Sequence, residues 1–204
     1  MARRYAEITY TDTVKSAQLA YGARGVADRM AQSDENDERL GAGEVAFIAG
    51  RDGFYLASVG EGGWPYVQFR GGPVGFLRVL DDRTLGYADF RGNMQYLTMG
   101  NVEHDNRVSL FLMDYPRRRR LKILARTEIF DAAVRPDLID KLADPNYRAR
   151  VERAVIFRIA AFDWNCPQHI TPRFTEAELA DRIAPLRQRI KHLEALLADL
   201  GHDV

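Results

Sequence analysis

From residue 54 onward the chain is built of short aromatic and apolar runs separated by glycine, proline and aspartate. Residues 54–59 read as a strand, and Gly60-Glu-Gly-Gly63 is the kind of turn that joins hairpin strands. Residues 64–69 resume the extended pattern, with Pro65 near the strand start, where its missing N–H is tolerable. After the Gly71-Gly72-Pro73 break, residues 74–80 and 84–88 predict two further strands around a turn at 81–83. Met94, Leu97 and Val102 suggest a helix over 93–104. A fifth strand over 108–115, a turn at 116–118 and a long sixth strand over 119–130 follow. A short helix at 136–143 and a last strand at 151–163 complete the run. Many strands joined by tight turns predict a mainly β (α+β) fold, an antiparallel barrel with peripheral helices.

The flanks read differently. Val14, Leu19, Val26 and Met30 give a weakly amphipathic helix over 11–31, followed by a polar loop at 33–39 and a short helix at 44–50. At the other end Leu179, Ile183, Leu186, Ile190, Leu193, Leu197 and Leu200 recur at alternating four- and three-residue steps. Leucine at every d position and isoleucine at two of three a positions favour a two-stranded parallel coil, with Arg189 and Glu194 placed to pair between chains. Pro185 works against it, because an interior proline costs about 3 kcal/mol unless it starts a fresh helix. The same stripe would equally serve a helix folded onto its own barrel, and the periodicity leaves both open.

Composition narrows the chemistry. The 204 residues carry 29 Lys+Arg against 29 Asp+Glu and are 46% hydrophobic, the balance of a globular chain. Zero net charge argues against a nucleic-acid binder, which needs a basic excess to release counterions. A single cysteine, Cys166, excludes an intrachain disulfide framework and a cysteine-rich zinc site. The four histidines are scattered, so no metal site is expected. No apolar leader opens the chain and no run approaches the roughly 18 apolar residues of a membrane span, so a cytoplasmic protein without membrane contact is expected. Phosphate-loop, dinucleotide and nucleophile-elbow patterns do not occur.

Three stretches carry candidate chemistry. In the segment 64–78, Gln68 and Arg70 share one strand face and Arg78 lies on the next strand in sequence. In the segment 88–95, a strand end is expected to run into a helix start, whose free N–H groups and dipole suit an anion. Arg91 beside it offers a phosphate fork, and Asp89 suits an N-cap. The segment 164–173 is dense in Trp164, Gln168, His169 and Arg173. Each has a plainer reading as well: Arg70 and Arg78 as outward strand residues, Arg117–Arg120 as a solvated turn, Trp164 as a plug for the barrel end.

Strand–turn–strand, then Ala88-Asp-Phe-Arg-Gly-Asn-Met94, then Asn106-Arg-Val-Ser-Leu-Phe-Leu112, resembles the flavin-binding split barrel of the pyridoxamine 5′-phosphate oxidase superfamily. The likeness is nearest to its flavin-nucleotide-binding branch and covers residues 44–173, leaving 1–43 as a helical extension and 174–204 as a C-terminal helix. It implies a six- to seven-stranded antiparallel split barrel, and a homodimer with FMN held between protomers. It also implies an FMN-dependent oxidoreductase acting on a small molecule, with a reduced substrate or a nicotinamide as electron donor. Cofactor contacts are then expected from Gln68, Arg70, Arg78, Asp89, Phe90, Arg91, Asn93, Arg120, Trp164, Gln168 and Arg173. The family's Arg-Lys pair is missing from 88–94, so Arg91 and Arg70 would take the phosphate charge. The Arg-x-His pair that grips pyridoxal phosphate falls near Ile170 and Pro172, which argues against vitamin B6 oxidation. A flavin store or redox sensor, or the same barrel binding haem or a deazaflavin, are the alternatives.

Overall fold

A computed structural model describes residues 3–33, 36–164 and 167–199. The chain divides into two compact units, residues 1–114 with 119–167 and residues 115–118 with 168–204.

The first unit is built on a seven-stranded antiparallel sheet. Its strands are β1 (Gly53–Val59), β2 (Pro65–Gly71), β3 (Arg78–Asp81), β4 (Thr84–Phe90), β5 (Arg107–Asp114), β6 (Arg119–Asp131) and β7 (Val151–Trp164), in the order β2-β1-β5-β6-β7-β4-β3. The marginal strands β2 and β3 do not pair with each other, so the split barrel is left open along one seam. Alternation follows the period of two: in β5, Val108, Leu110 and Leu112 face inward and are buried. Inside the barrel the rings of Phe54, Phe76, Tyr87 and Phe157 meet at centroid distances of 5.6–6.1 Å, a mixture of stacked and edge-on pairs.

Strand β4 breaks the alternation, being buried at six consecutive residues. The cause is α6 (Pro136–Leu142), whose Leu138 and Leu142 form a second apolar cluster with Ala88, Ala154 and Ile156. Gly86 permits this approach, since a Cβ there would meet Leu142 and Ile156 at 3.0 Å.

The helices differ from the sequence reading in instructive ways. The expected helix over 11–31 is two, α2 (Asp12–Ala20) and α3 (Arg24–Ala31), with Gly22 at φ +68° turning the chain between them. Before them α1 (Arg4–Thr9) has its first amides capped by buried Asp37, which accepts from Arg4 N at 3.0 Å and Tyr5 N at 2.8 Å. The polar loop that carries Asp37 thus anchors the N-terminus. Helix α4 (Ala42–Ala49) opens with Glu44 accepting from Gly41 N. The expected third strand at 74–80 shrinks to β3, because Gly75 at φ +80° keeps the preceding residues in a turn. Helix α5 is Leu97–His104, four residues shorter than expected at its start.

In the second unit, α7 (Glu176–Asp199) runs for 24 residues with Pro185 inside it. Its start is a reciprocal cap: Thr175 N donates to Glu178 Oε2 at 2.9 Å and Glu178 N to Thr175 Oγ1 at 3.3 Å. Cys166, Leu200 and His202 lie outside the described residues. Among the described residues no helix is long and apolar enough to cross a membrane, and no cluster of three potential metal ligands occurs.

Candidate functional site: an arginine-lined pocket at the barrel seam

Strand β2 presents Tyr66, Gln68 and Arg70 inward, half-buried, and leaves Val67, Phe69 and Gly71 exposed on its other side. The inward trio meets the end of β4, the loop 92–96, the first turn of α5 and Arg153 of β7 around a pocket of about 40 Å³. That space fits a group the size of a phosphate. Clefts that enclose a whole cofactor run to about 300 Å³ or more.

Asp89 organises the pocket. It is 5% exposed, and its carboxylate lies between two guanidiniums from different strands. Arg70 Nη1 donates to Oδ1 at 3.2 Å, while Arg153 donates to Oδ2 from Nε at 3.0 Å and Nη2 at 2.9 Å. Arg153 is the cross-strand partner of Asp89, and the pairing slips by one residue just beyond, at Phe90. Because β2 is one margin of the sheet and β4 lies one strand in from the other, with no ladder between them, the Arg70–Asp89 pair spans the open seam. Burial opposes the Arg153 charge, but the hydrogen bond and charge of Asp89 outweigh it and hold its pKa above the ordinary value. Just below, burial pushes the Tyr87 phenol well above its usual range, and the Asp89 charge adds to the shift.

The other wall is strained. Met94 and Tyr96 hold φ values of +59° and +54°, a left-handed conformation uncommon for such side chains and frequent at binding sites. Asn93 Oδ1 accepts from Gln95 N at 3.2 Å inside the same loop. Tyr96 lies under the Arg153 guanidinium at 5.1 Å, and Thr98 Oγ1 donates to Gln68 Oε1 at 3.2 Å, tying α5 to β2. Arg91 stands at the rim, about half exposed, 3.7 Å from Glu152, which also accepts from Arg153. Three guanidiniums against two carboxylates leave one positive charge. Arg70 Nε is buried and has no hydrogen-bond partner among the described residues, a donor that burial leaves costly unless a ligand uses it.

Of the residues singled out in the sequence, Gln68, Arg70, Asp89, Phe90 and Asn93 line this pocket together, and Arg91 borders it. Asp89 is not an N-cap: it ends a strand, and the helix begins eight residues later, at Leu97. For the same reason Arg91 has no helix N-terminus beside it. Arg78 does not line this pocket, because β3 begins with Arg78 opposite Gly86, three residues short of Asp89 on β4. Its guanidinium instead caps α6, donating to the carbonyls of Leu142 at 3.2 Å and Ala143 at 3.4 Å. Arg120 lies over the Phe111 ring at 5.8 Å with its Nε buried and unpartnered, outside the pocket. Trp164 donates from Nε1 to Glu44 at 2.7 Å and meets Phe47 edge-on at 4.7 Å, the plug reading. Gln168 and Arg173 belong to the second unit, where Gln168 is exposed and Arg173 lies over Tyr115 at 5.0 Å. The sequence reading missed Arg153, Tyr66, Tyr96 and Thr98. Tyr96 was within reach, two residues past Met94. Arg153 was not, since only the β4–β7 register sets it opposite Asp89.

A seven-stranded split barrel with a basic pocket at its seam defines the class of protein. Residues 44–164 match the family described as pyridoxamine 5′-phosphate oxidase, and the chain belongs to that family. Among solved structures it is similar to HupZ of Group A Streptococcus, at 17% identity and a TM-score of 0.50 over 66% of this chain and 100% of that one. A candidate pyridoxamine 5′-phosphate oxidase of Lactobacillus delbrueckii matches at 23% identity and a TM-score of 0.49, over 63% of this chain and 96% of that one. An FMN-binding protein of Syntrophomonas wolfei matches at 14% identity and 0.44, over 76% and 96%. No curated protein matches the chain.

Proposed function

We propose that the protein binds FMN, with the phosphate end of the cofactor in the Arg70–Asp89–Arg153 pocket, and serves as an FMN-dependent oxidoreductase for a small molecule. The observation that carries this is the buried Arg70 Nε with no partner, beside a site that keeps one net positive charge. A phosphate oxygen would satisfy that donor, and family membership makes a flavin phosphate the natural source. Asp89 orients rather than binds: it holds two guanidiniums in a fixed geometry, so that their remaining N–H groups face the pocket without rearrangement. Thr98 and Gln68 offer a hydroxyl and an amide to polar groups next to the phosphate. The flavin ring, when bound, supplies the electron transfer.

No histidine, cysteine, lysine or glutamate lines the pocket among the described residues. Hydride transfer needs positioning rather than a general acid, so this suits a reductase, and it suits a non-catalytic flavin carrier or redox sensor equally. Pyridoxamine 5′-phosphate is not the proposed substrate, because by the resemblance the family's Arg-x-His pair falls near Ile170 and Pro172, neither of which can grip a phosphate through its side chain.

A homodimer is part of the proposal. The pocket takes only one end of a flavin, and the outer side of β1–β2 is left apolar, with Val59, Val67 and Phe69 exposed. A second copy over that face would cover the apolar surface and supply walls for the ring. The test is the absorbance of purified protein, with and without added FMN, followed by anaerobic NAD(P)H. A flavin band that bleaches supports a reductase, a bound flavin that does not bleach supports the carrier, and failure to bind FMN overturns the reading.

A further inference from the structure

We propose that α7 is a self-association element, pairing with α7 of a second copy as a parallel two-stranded coiled coil. The inference is independent of the flavin reading.

The helix spans about 36 Å at 1.5 Å per residue, room for three heptads. Ile183, Ile190 and Leu197 occupy a positions, and Leu179, Leu186 and Leu193 occupy d positions. Along this stripe Leu186 is 63% and Ile190 54% exposed, in a helix whose other positions are mainly charged residues and alanines, with Leu196 besides. The periodicity alone left two uses open, and the exposure of Leu186, Ile190, Leu193 and Leu197 decides between them: the row is not covered by any of the chain's described residues. An identical row at the same seven-residue period fits it knob by hole. Isoleucine at two of three a positions with leucine at d favours two strands in a parallel coil. In that arrangement Arg189, at g, faces Glu194 of the following heptad across the seam, an opposite-charge pair. Pro185 falls at a c position on the outside of such a coil, so it sacrifices a helical hydrogen bond without interrupting the seam.

The experiment is disulfide trapping in a chain whose only cysteine has been removed (Cys166→Ser). Ile190→Cys places one thiol at the centre of the seam. In a parallel coil in register the two copies bring these Cα atoms to about 6 Å, within disulfide reach. The expected result is a covalent dimer under mild oxidation, while Gln188→Cys, on the outer face, stays monomeric on reducing-agent-free gels. An antiparallel pairing would instead set residue 190 against residue 186. Cross-linking only in a mixture of the Ile190→Cys and Leu186→Cys chains would therefore overturn the parallel arrangement. Equal trapping of the Gln188 and Ile190 variants would reveal random collision and overturn the proposal outright, as would no trapping at all. As a second measurement, Leu186→Asp with Leu193→Asp changes only exposed side chains. It should raise the concentration at which the dimer dissociates by at least tenfold in light scattering, with flavin content unchanged at concentrations where the dimer is intact. An unmoved dissociation midpoint refutes the coil, whereas lost flavin with an intact dimer bears on the flavin reading alone.

Discussion

Strand β7 carries Arg153 near its start and Trp164 at its end, roughly 36 Å apart at 3.3 Å per residue, and a cluster of guanidiniums surrounds each. At the Trp164 end two arginines pack against the plug. Arg51 donates to the carbonyls of Phe47 and Met113 and pairs with Asp114, and Arg119 stacks over Trp164 at 4.3 Å. At the Arg153 end Asp89 engages two guanidiniums, yet Arg70 Nε stays idle and the adjoining loop is held in left-handed backbone. The two clusters share residue types, and Arg120 near Trp164 also has a buried Nε without a partner among the described residues. What separates plug from receptor is the pocket that Arg70 lines and the left-handed loop that walls it. Arginine density says little about binding, and an idle donor says more where a pocket adjoins it.

That contrast can be broken at either end. The largest effect is expected from Asp89→Ala, which takes the carboxylate from two mostly shielded guanidiniums and leaves Arg153 only Glu152, and should cost about 3 kcal/mol in urea unfolding, with the m-value unchanged. A loss below 1 kcal/mol would mean that Asp89 does not organise the seam. Next, Arg70→Ala should weaken FMN binding by about tenfold to a hundredfold, the range for hydrogen bonds to a charged group, as read by fluorescence titration. Arg51→Ala should leave FMN affinity unchanged while lowering stability. Equal effects of the two on FMN would erase the distinction between the clusters.

Tyr87→Phe tests the layer beneath the pocket. The native phenol resists ionisation, so above pH about 10 the unfolded chain gives up a proton that the folded chain keeps. Stability should therefore be complete below pH 10 and fall above it by up to about 1.4 kcal/mol per pH unit, and the phenylalanine variant should lose that slope. Smallest is Trp164→Phe, which keeps a ring against Phe47 but gives up the bond to Glu44. It should cost about 1 kcal/mol and leave flavin affinity untouched.

The barrel was largely legible because a half-buried sheet writes its period into the sequence, as Val108, Leu110 and Leu112 do in β5. The convergence of Gln68 and Arg70 was legible for the same reason, being two residues apart on one strand. Arg78 falls outside this pocket because β3 pairs with β4 only up to Gly86 and its guanidinium turns to the end of α6, a placement that register and packing decide. The start of α5 was misjudged because Met94 and Leu97 mimic a helical stripe. Nothing in a methionine or a tyrosine announces positive φ, so the loop that walls the pocket was hidden. Arg153 depends on register, which long-range pairing decides.

The seam that Arg70 and Asp89 span has no backbone ladder across it, so one carboxylate acts there as a clasp between strands that are otherwise unattached. Both partners are mostly shielded from water, and added electrolyte should slacken that clasp little. An anion entering beside it is different: it competes with Asp89 for the same guanidiniums while supplying a fresh tie of its own. Whatever occupies the pocket thereby sets how tightly the barrel's mouth is drawn.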